Sequence, residues 1–138
     1  MKNKLNFGCK LVSLLILLSF IIDGWEVTYI SFQIALYQWW ETSFWWAIYL
    51  IITTSLFLFL NASAAYGVFY TKKWGFILVY LAIIFSTFFF SYSYVPFIVK
   101  IINNMFSIHP RYITFIVINL IVICYVAYLH VLYRRVNR

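Results

Sequence analysis

Charge is what this chain has least of. Only 9% of its residues are charged, and only three are acidic: Asp23, Glu26 and Glu41. A soluble domain is about one quarter charged and about half apolar. Here 66% of 138 residues are hydrophobic, more than so short a chain can bury in a core of its own. Glycine (four) and proline (two) are also scarce, and no Gly/Ser linker, repeat or low-complexity tract divides the chain, so a single bundle is expected. The two cysteines, Cys9 and Cys124, form no CxxC and no metal-ligand spacing,. They fall at different depths of their apolar segments, so no disulfide is expected.

Catalytic signatures are missing too. There is no HExxH, no nucleotide-binding glycine loop and no Ser/His/Asp set,. His109 and His130 stand 21 residues apart on one expected helix, roughly 30 Å, too far to share a metal or a haem. The expectation is a protein without enzymatic activity, cofactor or metal.

What is abundant is apolar and aromatic: 15 Phe, 12 Tyr and 6 Trp, 24% of the chain. Tyr and Trp favour the membrane–water interface, where a ring has one wet and one dry side. The sequence therefore predicts an all-α integral membrane protein, a four-helix up-down transmembrane bundle. Spans are expected at about 5–22, 44–70, 74–94 and 111–133, joined by external loops at about 23–43 and 95–110 and a cytoplasmic turn at 71–73. The first apolar run, residues 11–22, gives only roughly 18 Å. It extends more cheaply backward past Lys10, which can snorkel, than forward past Asp23 and Glu26. Residues 27–38 contain no Gly or Pro, so a helix continuing to about Gln38 stays open. Pro96 should end the third helix and Pro110 start the fourth. The loop between them can form a short surface helix. Lys2 and Lys4 before an apolar run resemble a secretion signal, but no small-x-small cleavage site follows,.

The net charge is +7. The basic residues sit at helix ends, which points to orientation and anionic lipid, not to nucleic acid. Lys2, Lys4, Lys10, Lys72, Lys73, Arg134, Arg135 and Arg138 fall on one side. Lys100, Arg111 and all three acids fall on the other. The positive-inside rule puts the first side, with both termini, in the cytoplasm, as in a multi-pass protein of a bacterial cytoplasmic membrane. Trp39, Trp40, Trp45, Trp46, Tyr92, Tyr94 and Tyr112 are expected in the outer aromatic belt, and Tyr66, Tyr70, Trp74 and Tyr133 in the inner one.

Asp23 and Glu26 are three apart and share a helical face. They read as a cation or proton site at the outer mouth, or more simply as an acidic boundary. Asn61 and Asn119 lie inside spans. They can line a substrate path, but buried Asn more often links helices. Ser63 and Gly67 make a small-xxx-small pair suited to helix packing or self-association. Lys72, Lys73, Arg134, Arg135 and Arg138 read as topology anchors that meet anionic lipid. The function expected is a non-enzymatic accessory or interaction subunit, partnered by lipid and by other membrane subunits or itself. The alternatives are a small cation- or proton-coupled transporter or pore, and a holin-like permeabiliser.

Overall fold

A computed structural model describes residues 1–41, 43–106 and 111–137. Thr42, His109, Pro110 and Arg138 lie outside the described residues, as do the side chains of Asn103, Arg111 and Tyr112. All the described elements are helices. In chain order they are α1 (Lys2–Ser19), a π-helical turn (Phe20–Gly24), α2 (Trp25–Glu41), α3 (Phe44–Phe69), α4 (Lys73–Phe90), α5 (Pro96–Phe106) and α6 (Arg111–Val136). Four are long and apolar enough to cross a membrane: Lys2–Glu41, Phe44–Phe69, Lys73–Phe90 and Ile113–Val136.

The first of these is one uninterrupted rod. The expected external loop at 23–43 is helical as far as Glu41. The π turn takes in the only glycine of that stretch, Gly24, and nothing else there opposes a helix. The difference at α4 runs the other way. The sequence predicts that it reaches Tyr94, but it stops at Phe90, because Ser91 turns left-handed (φ 49°) and the amides of Ser91 and Tyr92 both close on the Ser86 carbonyl. Pro96 then serves as the first residue of α5, where a missing N–H costs nothing. Tyr92 and Tyr94 turn inward instead of joining an aromatic belt, and are 4% and 1% exposed.

α3 is the central helix. It packs against α1, α2 and α4, while α6 closes the far side against α1 and α4. The core uses the spacing of three and four that keeps one helical face inward: Leu5, Cys9, Val12 and Ile16 on α1; Val122, Val126 and Leu129 on α6. Between α3 and α4 the backbones nearly touch. A Cβ on Gly67 would lie 2.6 Å from the Gly75 Cα. The close approach thus pairs Gly67 with Gly75 across the hairpin, while Ser63 sits half-buried at its rim.

The turn after α3 explains how three residues reverse the chain. Thr71 is left-handed (φ 51°), its N–H bonds the Val68 carbonyl at 2.9 Å, and the Lys72 N–H bonds the Gly67 carbonyl at 2.8 Å. This is a Schellman end, with threonine where glycine is usual.

The helices do not share one height. α4 has 18 residues, roughly 27 Å. It begins with Gly75 against Gly67 and ends with the Phe90 ring 4.9 Å from Phe57. The first half of α3 therefore rises past the end of α4. There it pairs with α2, and the Trp39 and Phe44 rings meet at 4.6 Å near the tip. The molecule has two tiers: a lower one of α1, α3, α4 and α6, and an upper hairpin of α2 with the start of α3.

Two substitutions test the α3–α4 hairpin. Gly75→Leu should lower unfolding stability in detergent by about 1–3 kcal/mol through overpacking. Thr71→Gly should raise it by about 1 kcal/mol by relieving the left-handed threonine. A loss in both would mean that the turn is not the one described.

Candidate functional site

The polar residues gather where the tiers meet, around residues 91–95. That segment is not helical, yet Tyr92, Ser93 and Tyr94 are buried. Its backbone groups need partners other than water. Asn119 on α6 supplies two of them. Its Oδ1 accepts from the Tyr94 N–H at 3.1 Å, and its Nδ2 donates to the Tyr92 carbonyl at 2.7 Å and to Thr87 Oγ1 at 2.8 Å. One amide side chain stitches the linker to α4 and α6.

Asn61 on α3 does the same for the Tyr94 side chain. The Tyr94 hydroxyl donates to Asn61 Oδ1. Asn61 Nδ2 donates to the Phe57 carbonyl at 2.8 Å and reaches Ser86 Oγ at 3.4 Å, and Ser86 Oγ lies 3.0 Å from the Tyr94 hydroxyl. With the tyrosine proton given to Asn61, Ser86 donates to Tyr94, and the three groups close a ring in which each bond polarises the next. Burial pushes the Tyr92 phenol up to about 12 and raises that of Tyr94 as well, so both are protonated donors at neutral pH. Both asparagines thus act as interhelical links with their amides spent.

Asp23 and Glu26 lie above this network. The π turn carries Asp23, whose Oδ1 receives Lys100 Nζ of α5 at 2.9 Å. The ammonium remains 63% exposed and the carboxylate 27%. The hydrogen bond from Lys100 to Asp23, then the charge of that carboxylate, raise the Lys100 pKa, and Glu26 adds to the effect. Glu26 is exposed and has no hydrogen bond or ion pair among the described residues. Gly24 keeps the π turn close to the linker: a Cβ there would lie 3.1 Å from the Tyr92 hydroxyl oxygen. Asp23, Glu26, Ser91, Ser93 and Lys100 line a cavity of about 510 Å³ whose other walls are largely apolar.

The remaining predicted residues lie elsewhere. Lys72, Lys73, Arg134 and Arg135 are exposed at the opposite end of the lower tier. Ser63 lines a shallow groove beside Trp74. His130 stacks on Phe76 at 5.1 Å, near that basic end. Among the described residues no three His, Cys, Asp or Glu side chains group as for a metal. Sequence reasoning missed Lys100 as the partner of Asp23, and Tyr94, Ser86 and Thr87 as partners of the asparagines. Ser86 and Thr87 carried a signal, as adjacent hydroxyls inside an apolar span. Tyr94 carried none, because a tyrosine near a span end reads as an interface residue.

Replacing Asn119 with leucine strands the Tyr94 N–H and the Tyr92 carbonyl. It should lower unfolding stability in detergent by about 2–4 kcal/mol, since each stranded buried group costs about 1–3 kcal/mol. Glu26→Gln should change it by less than about 0.5 kcal/mol, as an exposed site. Equal effects from the two would refute Asn119 as the link that holds the linker and Glu26 as a solvent-facing acid.

Comparison with protein-family models, with curated proteins and with solved structures finds no match to this chain.

Proposed function

We propose that this chain is a non-enzymatic, multi-pass membrane subunit that binds another membrane protein, or a second copy of itself, through the upper hairpin. One observation carries the reading: the rod Lys2–Glu41 is too long for a bilayer. Its 40 residues amount to roughly 60 Å, against a hydrocarbon core of about 30 Å. The lower tier matches that core well, since α4 contributes roughly 27 Å between its basic start and the level of Asp23 and Lys100. The 17 residues of α2 then stand roughly 25 Å further out, while headgroups cover only about 5–7 Å of it.

That hairpin is not built for water. Trp25, Tyr29, Leu36, Tyr37, Trp40 and Trp45 are exposed on it, Trp40 at 82%. Glu26 and Glu41 are the only charges on α2. A helix apolar on all sides is one that something else covers. In this reading the basic end is cytoplasmic, with both termini, and Lys72, Lys73, Arg134 and Arg135 meet anionic lipid there. A transporter has less support. Asp23 is paired with Lys100, and Asn61 and Asn119 have their amides engaged.

Site-specific photo-crosslinking in native membranes tests the proposal. A benzophenone probe at Tyr37 or Trp40 should give a discrete protein adduct, whereas one at Phe88, exposed on the lower tier, should not. Equal labelling at both levels would overturn it. Reporters fused after Arg138 and at Lys72 should read cytoplasmic and one near Asn103 external; an external C-terminus would sink the orientation. Liposomes carrying the protein should show no proton or cation flux above empty ones. Flux that vanishes in Asp23→Asn/Glu26→Gln would establish the transporter instead.

A further inference from the structure

The cavity at the junction of the tiers has a composition that selects its occupant. Its lining combines both signs of charge with apolar walls. Lys100 gives one of its three N–H donors to Asp23 and keeps two. Ser93 is more than nine-tenths buried and accepts from the Val95 N–H at 3.2 Å. Its own hydroxyl proton has no acceptor among the described residues, and Ser93 is one of the residues that line the cavity. These donors suit a phosphate oxygen. Glu26, one helical turn above Asp23, offers an acceptor with no hydrogen bond or ion pair among the described residues.

An apolar groove shares one wall with the cavity. Phe115 is a wall of the cavity and also of a second space of about 250 Å³ between α4 and α6, lined by Ile84, Phe88, Ile116, Leu120 and Ile123. A ligand with a charged head and a hydrocarbon tail matches the two in sequence. The level is also right: in the proposed membrane placement, on which this step rests, the cavity lies at the outer headgroup layer.

We propose that the cavity binds the headgroup of a zwitterionic phospholipid with a primary ammonium, its phosphate on Lys100 and Ser93 and its ammonium on Glu26, with an acyl chain along the α4–α6 groove. The site has two carboxylates and one ammonium, so an anionic headgroup meets net repulsion. A quaternary ammonium brings no N–H to Glu26, whereas a primary one brings three. The expected order is therefore phosphatidylethanolamine, then phosphatidylcholine, then phosphatidylglycerol.

The test is native mass spectrometry of the full chain, extracted in mild detergent and offered the three lipids in equal amounts. The wild type should retain one phosphatidylethanolamine, preferred over phosphatidylcholine by about fivefold, the scale of a partly exposed ion pair. Glu26→Gln should remove that preference and leave total retention nearly unchanged. Lys100→Met should reduce retention of both. Glu41→Gln, which makes the same charge change at the hairpin tip, should leave the wild-type pattern. Soluble glycerophosphoethanolamine at equal concentration should not displace the lipid, because it lacks a tail. Unchanged selectivity in Glu26→Gln, or phosphatidylglycerol retained best, would overturn the proposal. Displacement by the soluble headgroup would overturn the lipid as the source. A chain recovered outside the membrane fraction would instead refute the membrane placement, and a membrane-extracted chain without lipid selectivity would refute only this site.

Discussion

A non-helical backbone can be buried among apolar helices only if the protein supplies every hydrogen bond that water would otherwise make. Residues 91–95 meet much of that demand through Asn119, which holds the Tyr94 N–H and the Tyr92 carbonyl, while Asn61 holds the Tyr94 hydroxyl. Much of the architecture depends on this. Because the linker is held inside, α4 can stop at Phe90, α5 can start at Pro96 and pack against α6, and α3 and α2 can rise past the level of α4. The same linker forms part of the cavity wall, with Ser91, Tyr92 and Ser93.

If the lower tier lies in lipid, as proposed, the forces that hold it differ from those of a soluble core. In lipid, burying a leucine against another helix gains little over burying it against acyl chains. Association then rests on close packing and on polar links. The chain uses both. Gly67 and Gly75 bring two backbones together, and Ser13 donates to the Ala65 carbonyl at 2.9 Å, linking α1 to α3. In the proposed membrane placement, the large apolar side chains left outside, such as Phe59, Phe88 and Ile121, have a solvent in the bilayer. In that same placement the upper hairpin stands beyond the reach of that solvent, which is why the hairpin and not the bundle is proposed as the interaction surface.

Asp23 shows how one residue changes meaning with its surroundings. As one of three acids in the chain it suggests a cation site. Paired to Lys100 from 77 residues away, it becomes a clamp between the π turn and α5. The unpaired member is then Glu26, and the charge balance of the site passes from acidic to mixed. A mixed site beside an apolar groove recognises a different class of ligand from an acidic one.

The sequence by itself determined the number of long apolar helices, the short reversal at residues 71–73 and the segregation of basic residues to one end. Each follows from local quantities: run length, hydropathy, and the charge and turn chemistry of neighbours along the chain. It also allows a first helix that runs on to about Gln38, because nothing in residues 27–38 breaks a helix. Tertiary structure decided the rest. Tyr92 and Tyr94 have the pattern of belt residues, and partners 25 to 33 positions away in the chain, Asn119 and Asn61, help to hold them inward. Gly67 packs closely against Gly75 of the same chain, a pairing across the hairpin that its own Ser63/Gly67 motif does not announce. The pairing of Asp23 with Lys100 has no local signature at all. Hydrogen bonds and ion pairs between distant residues depend on the register in which helices pack, and that register is a property of the whole bundle.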